Sequence, residues 1–144
     1  MAKKTLRAQC LEAIQLLARI SEANDNGYAQ CKSCDPQNLS SWHRWEDMDG
    51  GHFIPKGSSS YWALEKCNVH AQCRPCNRFG QRYGSADAWY TLWMEDEDQY
   101  GRAYVEQMLR DKKKIKKLYA ADYREMLADF KEQIKFHEDR LNGY

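Results

Sequence analysis

Two pairs of cysteines constrain the fold of this chain more than any other feature of its sequence. Cys31 is paired with Cys34 and Cys73 with Cys76, in two CxxC segments separated by residues 35–72. The turn of a CxxC segment directs both sulfurs at one ion, and four thiolates bind zinc tetrahedrally and leave no open position. The sequence therefore predicts a closed, structural zinc site that ties together two distant parts of the chain.

The chain carries no signal that would send it to an oxidising compartment. Its first seven residues are charged and lack the apolar segment of a signal peptide. No stretch approaches the roughly 18 apolar residues of a membrane span. We therefore expect a cytoplasmic protein with no membrane partner, in which cysteines are reduced and paired cysteines bind metal. The two remaining cysteines, Cys10 and Cys67, are expected to be buried.

Composition indicates one folded domain. The 144 residues are 42% hydrophobic and 30% charged, which is typical of a globular chain. A net charge of +1 gives no sign of nucleic-acid binding. The basic run at residues 112–117 fits phosphate contact and simple solvation equally well.

Helical periodicity appears at both ends of the chain and is absent from its middle. Residues 3–22 predict an amphipathic helix, and residues 28–84 lack periodicity. Three further helices are predicted: a short one capped by Ser85, a second from about Gln99, and a third from about Lys113 to Leu141. The third, roughly 30 residues and about 40 Å long, would pack on the first helix or on its counterpart in a dimer.

These patterns predict an α+β fold that is mostly helical. A single domain, residues 1–144, would comprise an N-terminal helix (1–27), a zinc-containing core (28–84) and a helical tail (85–144). The tail would serve as a dimerisation or DNA-binding arm.

The segment between the cysteine pairs predicts two strands and a helix. A strand is expected at 51–55 beside a glycine turn, a further turn at 57–60, and a return through 61–64 towards Asn68. A helix opened by Pro75 should run from Cys73 through Arg82. This arrangement would bring His52, Asn68 and Asn77 together.

These three side chains suit phosphodiester hydrolysis with one metal ion, which needs a base, a divalent cation and a group that orients the base. His52 is the natural base, since a neutral imidazole accepts a proton near pH 7. Asn68 is expected to accept a hydrogen bond from the imidazole and fix its rotamer. Asn77 offers an oxygen to Mg²⁺ or Mn²⁺, which prefer hard ligands.

The pattern CKSC…DGGHFIP…CNVHAQCRPCN resembles that of the HNH (ββα-metal) endonucleases, with asparagine in the last position. More narrowly, it is similar to the NinG/Rap recombination proteins of lambdoid bacteriophages. The resemblance implies a zinc-pinned ββα-metal core that cuts branched DNA, such as Holliday junctions or D-loops, in a bacterial host cell. It assigns the base role to His52, the orienting role to Asn68, the metal role to Asn77 and the zinc to the four paired cysteines.

One position departs from the HNH pattern. The resemblance places a metal-binding aspartate immediately before the catalytic histidine, and here that position is Gly51. Asp49 would reach the ion if the Gly50–Gly51 turn folded it back. His70 is the competing candidate, because in an extended segment it shares a face with Asn68. Asp49 is slightly favoured.

DNA contacts are expected from basic side chains around this module: Arg44, Lys56, Arg74, Arg78 and Arg82. Three tryptophans, Trp42, Trp45 and Trp62, are candidates for stacking on unpaired bases, although packing is the favoured interpretation. No sequence-specific readout is visible, which favours recognition of DNA shape and backbone.

Two other functions fit the residues of this chain less well than a nuclease does. A nucleobase deaminase needs His-x-Glu, which His70-Ala71-Gln72 does not provide. A non-catalytic zinc module that binds DNA would explain the cysteines but would leave His52, Asn68 and Asn77 without a role. Symmetric cutting of two strands would favour a twofold homodimer.

Overall fold

The computed structural model describes residues 3–83 and 86–143. Its helices are α1 (Leu6–Ser21), α2 (Arg74–Tyr83), α3 (Ala86–Glu95), α4 (Arg102–Arg110) and α5 (Ala120–Leu141). Its strands are β1 (Tyr28–Gln30), β2 (Trp42–Arg44), β3 (Met48–His52) and β4 (Val69–Cys73). The described part of the chain is therefore a set of helices around two short sheets. None of its described helices is apolar enough over its length to cross a bilayer.

Helix α1 forms where its apolar spacing predicts it. The Thr5 hydroxyl caps its start by accepting a hydrogen bond from the amide of Ala8 at 3.1 Å. Cys10, Ile14 and Leu17 lie on one face and are almost completely buried. That face packs against α5, where Phe130 and Ile134 are buried in the same apolar cluster.

The two sheets are antiparallel hairpins of two strands each. Strand β1 pairs with β2, with Ala29 opposite His43, and neither strand was expected. Strand β3 pairs with β4, from Met48 opposite Cys73 to His52 opposite Val69. The predicted strand at 51–55 is thus displaced, because pairing with β4 makes residues 48–52 the extended segment.

The expected turn at Gly50 and Gly51 is wrong, since both residues lie in the middle of β3. Gly50 is needed for a close approach instead. A Cβ atom at Gly50 would lie 2.3 Å from the backbone oxygen of Gln15, in α1. The hairpin therefore rests on the helix backbone itself, and any side chain at position 50 would force the two apart.

The C-terminal helices are shorter than the periodicity indicated. Helix α4 begins at Arg102 and α5 at Ala120, where the amide of Tyr119 donates to Asp122 Oδ2 at 2.8 Å. The basic run is not α-helical: residues 111–113 form a 3₁₀ turn and residues 114–119 have no regular secondary structure. The predicted cap Ser85 lies outside the described residues. Helix α5 packs on α1, which is one of the two partners expected for the last helix.

A mostly buried carboxylate joins α1 to the part of the fold that contains the paired cysteines. Glu22, just after α1, accepts hydrogen bonds from the Ala71 amide at 3.2 Å and from His70 Nδ1 at 3.1 Å. Lys32 Nζ lies 2.9 Å from Oε1, the oxygen that the Ala71 amide also contacts, and Lys66 Nζ lies 3.7 Å from Oε2. One side chain thus connects the end of α1, the first CxxC segment and strand β4.

The surroundings of Glu22 hold it ionised. Burial alone would raise the pKa of this carboxyl, but the hydrogen bond with His70 and the charge of Lys32 outweigh burial and lower its pKa from 4.5 to about 2. A lowered pKa in the folded state means that the carboxylate contributes stability above pH 4.5, and that this contribution is lost as the pH falls towards 2.

Replacing Glu22 with glutamine should therefore lower the free energy of unfolding by about 3 kcal/mol at neutral pH. The loss should be the same at about pH 8 and at about pH 6, because both lie above the range in which Glu22 titrates. Urea unfolding of the two proteins at both pH values measures it.

Glu12→Gln is the matched control, since Glu12 lies on the same helix and pairs with Lys4 on the surface. Its removal should cost less than about 1 kcal/mol. Equal stability of Glu22→Gln and the wild type would show that the buried carboxylate does not hold α1 to β4.

Candidate functional site

Four cysteine sulfurs meet at the junction of the two CxxC segments. The Sγ atoms of Cys31, Cys34, Cys73 and Cys76 all lie within 4.8 Å of one another. Cys34 Sγ is 3.8 Å from Cys73 Sγ and 3.7 Å from Cys76 Sγ. Four sulfurs at about 2.3 Å from one zinc ion would be roughly 3.8 Å apart. The cluster could therefore hold zinc in the predicted tetrahedral arrangement.

The electrostatics of the cluster favour a bound cation. The pKa of Cys73 is lowered to about 5 because its sulfur accepts a hydrogen bond from Cys31. That hydrogen bond and burial together raise the pKa of Cys31 far above its ordinary value of 9.0. Burial and the neighbouring Cys73 raise the pKa of Cys76 to about 12. One thiolate is thus stabilised at the expense of the others, and a divalent cation would let all four ionise together.

The first CxxC segment is also attached to β4 through the backbone. The amide of Lys32 donates to the carbonyl of Ala71 at 3.1 Å, and the amide of Cys31 donates to the carbonyl of Ser41 at 2.8 Å. The second CxxC segment spans the end of β4 and the start of α2. The meeting of the two CxxC segments therefore fixes the direction in which α2 leaves the β3–β4 hairpin.

A cleft of about 830 Å³ lies between this hairpin and α2. Several polar and ionisable side chains line it: His52 at the end of β3, Gln72 on β4, Asn77 and Arg78 on α2, and Lys56 on the loop after β3. We call this space the His52 cleft. Two of the three residues that the sequence grouped, His52 and Asn77, share it.

A hydrogen bond to the backbone selects one tautomer of the neutral His52 imidazole. Its Nε2 atom lies 2.8 Å from the carbonyl oxygen of Ala63. Because a carbonyl only accepts, Nε2 donates and the lone pair is on Nδ1. Burial lowers the pKa of His52, and the charges of Lys56 and Arg7 add to that effect, while the hydrogen bond to Ala63 opposes it. The ring is therefore neutral near pH 7 and able to accept a proton.

Asn68 does not contact this imidazole, so the expected hydrogen bond between them is wrong. Its Oδ1 accepts from the Ile54 amide at 2.8 Å, and its Nδ2 donates to the carbonyls of Ile54 at 2.9 Å and Trp62 at 3.2 Å. It therefore fixes the loop between β3 and β4, whose residue Ala63 binds His52. Asn68 therefore positions His52 through the backbone rather than by touching its ring.

Asp49 and Asn77 are hydrogen-bonded to each other. Asn77 Nδ2 donates to Asp49 Oδ2 at 3.0 Å, which leaves Asn77 Oδ1 on the other side of the amide. Arg78 Nε also donates to Asp49 Oδ2, at 3.1 Å, and Arg74 Nε lies 3.8 Å from Oδ1. Asp49 reaches this position along an extended strand. Its carboxylate positions Asn77 and is balanced by two guanidinium groups.

His70 is turned away from the cleft, which contradicts its selection as a competing metal ligand. The side chain is 4% exposed, with Nδ1 on Glu22 and Nε2 2.9 Å from the carbonyl of Cys67. The rings of Trp93 and Tyr100 pack around it. The shared face predicted for Asn68 and His70 requires residues 68–70 to form one strand. Instead, Asn68 ends a 3₁₀ turn and β4 begins at Val69.

The basic candidates for DNA contact are distributed unevenly. Lys56 and Arg78 line the His52 cleft, and Arg74 is half-exposed and forms an ion pair with Asp49. Arg44 is exposed on β2, away from the cleft, and pairs with Glu46 at 3.3 Å. The side chain of Arg82 lies outside the described residues. Of the tryptophans, Trp62 is buried and donates to the carbonyl of Met108 at 3.0 Å, so it serves packing.

Sequence reasoning missed several groups in or beside the cleft, among them Gln72, Asp87 and the backbone carbonyl of Ala63. The backbone carbonyl of Ala63 leaves no trace in a residue pattern. Gln72 stands beside a zinc ligand in the sequence, and only the side-chain positions reveal that it faces the space above Gly51. The missing side chain at Gly51 was the one available signal, since it indicates that another group occupies that space.

Comparison with known proteins gives one finding. A family model described as "Bacteriophage Lambda NinG protein" matches residues 2–139. Neither the curated proteins nor the solved structures contain a match to the chain.

If the four thiolates hold zinc, the purified protein should contain one zinc ion per chain, and Cys34→Ala should lose it. Removing the ion should destabilise the fold by several kcal/mol, because the metal ties β4 and α2 to the first CxxC segment. Elemental analysis by mass spectrometry and thermal unfolding with and without a chelator measure both effects.

Cys67→Ala is the control, since Cys67 lies outside the cluster and contacts the Tyr104 hydroxyl. It should keep a full equivalent of zinc. A full equivalent in Cys34→Ala as well would rule out the four-thiolate site.

Proposed function

The chain belongs to the bacteriophage lambda NinG family, and from this premise we propose that it is a metal-dependent DNA endonuclease of the HNH type. Its substrates would be branched recombination intermediates, such as Holliday junctions and D-loops. Family membership suggests a role related to phage recombination. The observation that carries the proposal is the His52 cleft, in which a neutral imidazole and hard oxygen donors face one space beside basic side chains.

His52 would act as the general base. Its Nε2 proton is held by Ala63, so Nδ1 is the atom that would take a proton from the attacking water. Asn68 supports this state, because it fixes Trp62 next to Ala63 and so keeps the accepting carbonyl in place. The histidine needs no rearrangement before it acts.

The donors beside His52 fit a hard divalent cation. Asn77 presents an amide oxygen and Asp49 a carboxylate, and such oxygen ligands suit Mg²⁺ or Mn²⁺ rather than a soft metal. When bound, such an ion would stabilise charge on the phosphate and on the leaving oxygen. Asp49 would hold Asn77 in position through its present hydrogen bond. The sulfur cluster and the oxygen donors thus suit two different metals with separate duties.

The charges around the cleft suit a nucleic-acid backbone. Lys56 and Arg78 line it, Arg74 shares the Asp49 carboxylate with Arg78, and all three are exposed. Such cations contact phosphates and carry no sequence information by themselves. This supports a substrate recognised by its shape and backbone, which is the kind of recognition that a branched junction requires.

The test compares the wild type with His52→Ala on a synthetic four-way junction and on a linear duplex of the same sequence, in Mg²⁺ and in Mn²⁺. We expect the wild type to cut the junction faster than the duplex. Loss of the base should lower the rate by about 10²- to 10⁴-fold. Gel analysis of end-labelled strands gives both rates.

His137→Ala is the matched control, because this histidine lies on α5 and contacts Arg140. It should cut at the wild-type rate. Binding of the junction without cleavage in either metal would reject the nuclease and favour the alternative, a non-catalytic zinc module that binds DNA. Cleavage by His52→Ala at the wild-type rate would reject the assignment of the base.

The cleavage rate should rise with pH and then level off. Only neutral His52 accepts a proton, so activity is lost as the pH falls through the pKa of this residue. Burial places that pKa below its ordinary value of 6.5. The midpoint of the rise in kcat/KM should therefore lie below 6.5, and a midpoint above it would contradict the buried environment of His52.

A further inference from the structure

Gly51 lacks a side chain because another residue fills the space above it. A Cβ atom placed on Gly51 would lie 1.4 Å from Oε1 of Gln72 and 2.4 Å from its Cδ. Gln72 lies on β4 two residues along from His70, the partner of Gly51, and therefore on the same face of the hairpin as position 51. Its carboxamide group therefore lies where the side chain of residue 51 would begin.

The orientation of this carboxamide is fixed. Gln72 is 5% exposed, and its Nε2 atom donates to the Ser33 hydroxyl at 2.6 Å. Ser33 lies between the two cysteines of the first CxxC segment, whose position the zinc cluster determines. Because the nitrogen faces Ser33, the carbonyl oxygen faces Gly51.

Gln72 shares the His52 cleft with Asn77, and the side-chain amides of both residues are held in the same way. The nitrogen of each amide is held by a neighbour, Ser33 for Gln72 and Asp49 for Asn77, and each oxygen is left on the opposite side. Amide oxygens are among the ligands that Mg²⁺ and Mn²⁺ accept. Two fixed oxygens of this kind in one cleft suit a single divalent ion.

We propose that Gln72 is a ligand of the divalent cation in the His52 cleft, and that its Oε1 takes the place of a side-chain ligand at position 51. The inference deepens the proposed nuclease function and rests on it for the identity of the site. It moves one ligand from β3 to β4. It also explains why a glycine precedes His52, since any larger residue would collide with the ligand.

The test measures Mn²⁺ binding to the zinc-loaded protein without DNA, by the loss of the electron paramagnetic resonance signal of free Mn²⁺. Gln72→Ala removes the oxygen and should weaken binding by about 10- to 100-fold. Gln72→Glu keeps the shape and places a charged oxygen at the same point, so it should tighten binding. Gln133→Ala, on α5, is the control and should bind as the wild type does.

A second variant uses the overlap between positions 51 and 72. Gly51→Asp in the wild-type background should fail to bind Mn²⁺, because its side chain meets the Gln72 carboxamide. Combined with Gln72→Ala, the same aspartate enters the vacated space and should restore binding. Circular dichroism and zinc content show whether each variant has folded.

The outcomes separate this inference from the proposed function. Equal Mn²⁺ affinity of Gln72→Ala and the wild type, or no saturable binding by the wild type at millimolar Mn²⁺, would overturn the role of Gln72. Binding that depends on Gln72 without any DNA cleavage would support the ligand and reject the nuclease. If Gln72→Ala does not fold, Gln72→Glu decides, and unchanged or weaker binding by it counts against the proposal.

Discussion

The meeting of four cysteine sulfurs determines how the centre of this fold is arranged. The first CxxC segment lies in the connection between β1 and β2, and the second spans the junction of β4 and α2. Bringing them together sets the angle between α2 and the β3–β4 hairpin, and the His52 cleft lies in that angle. The same contact places Ser33 beside Gln72. The apolar cluster around these cysteines is small, with Ala29, Met48 and Ala71 as its other buried members. A zinc ion bound by the four sulfurs would therefore hold the geometry of this region more than its apolar core does.

Helix α1 supports this arrangement from the other side. Gly50 allows the backbone of β3 to lie directly on α1 at Gln15, and Glu22 binds β4 and the first CxxC segment at the end of the same helix. Helix α5 then covers the opposite face of α1. The cleft is therefore built on rigid elements, which suits a site whose groups must stay in place during a reaction.

The sequence predicted those features of the fold that depend on residues close together in the chain. The spacing of Cys10, Ile14 and Leu17 predicted the buried face of α1, and the CxxC pairs predicted the cluster of four cysteine sulfurs. The errors came from contacts between distant residues. Asn68 is hydrogen-bonded to backbone groups rather than to His52. The sequence could not predict this, because a hydrogen bond to the backbone does not depend on which residue provides the backbone group. The pairing of β3 with β4 turned an expected glycine turn into a strand.

Gly51 is best understood through its neighbour on β4. A carboxylate at position 51 would bring a full negative charge to the cleft, where Asp49 is already balanced by Arg74 and Arg78. An amide oxygen from Gln72 offers a ligand atom without that charge. On the proposed assignment, two ligands of the cation would be neutral amides, and the charge of Asp49 would already be offset by Arg74 and Arg78, so the cation would keep most of its charge for the phosphate. Metal and DNA would then bind cooperatively, since each neutralises the other in a site that is itself nearly neutral.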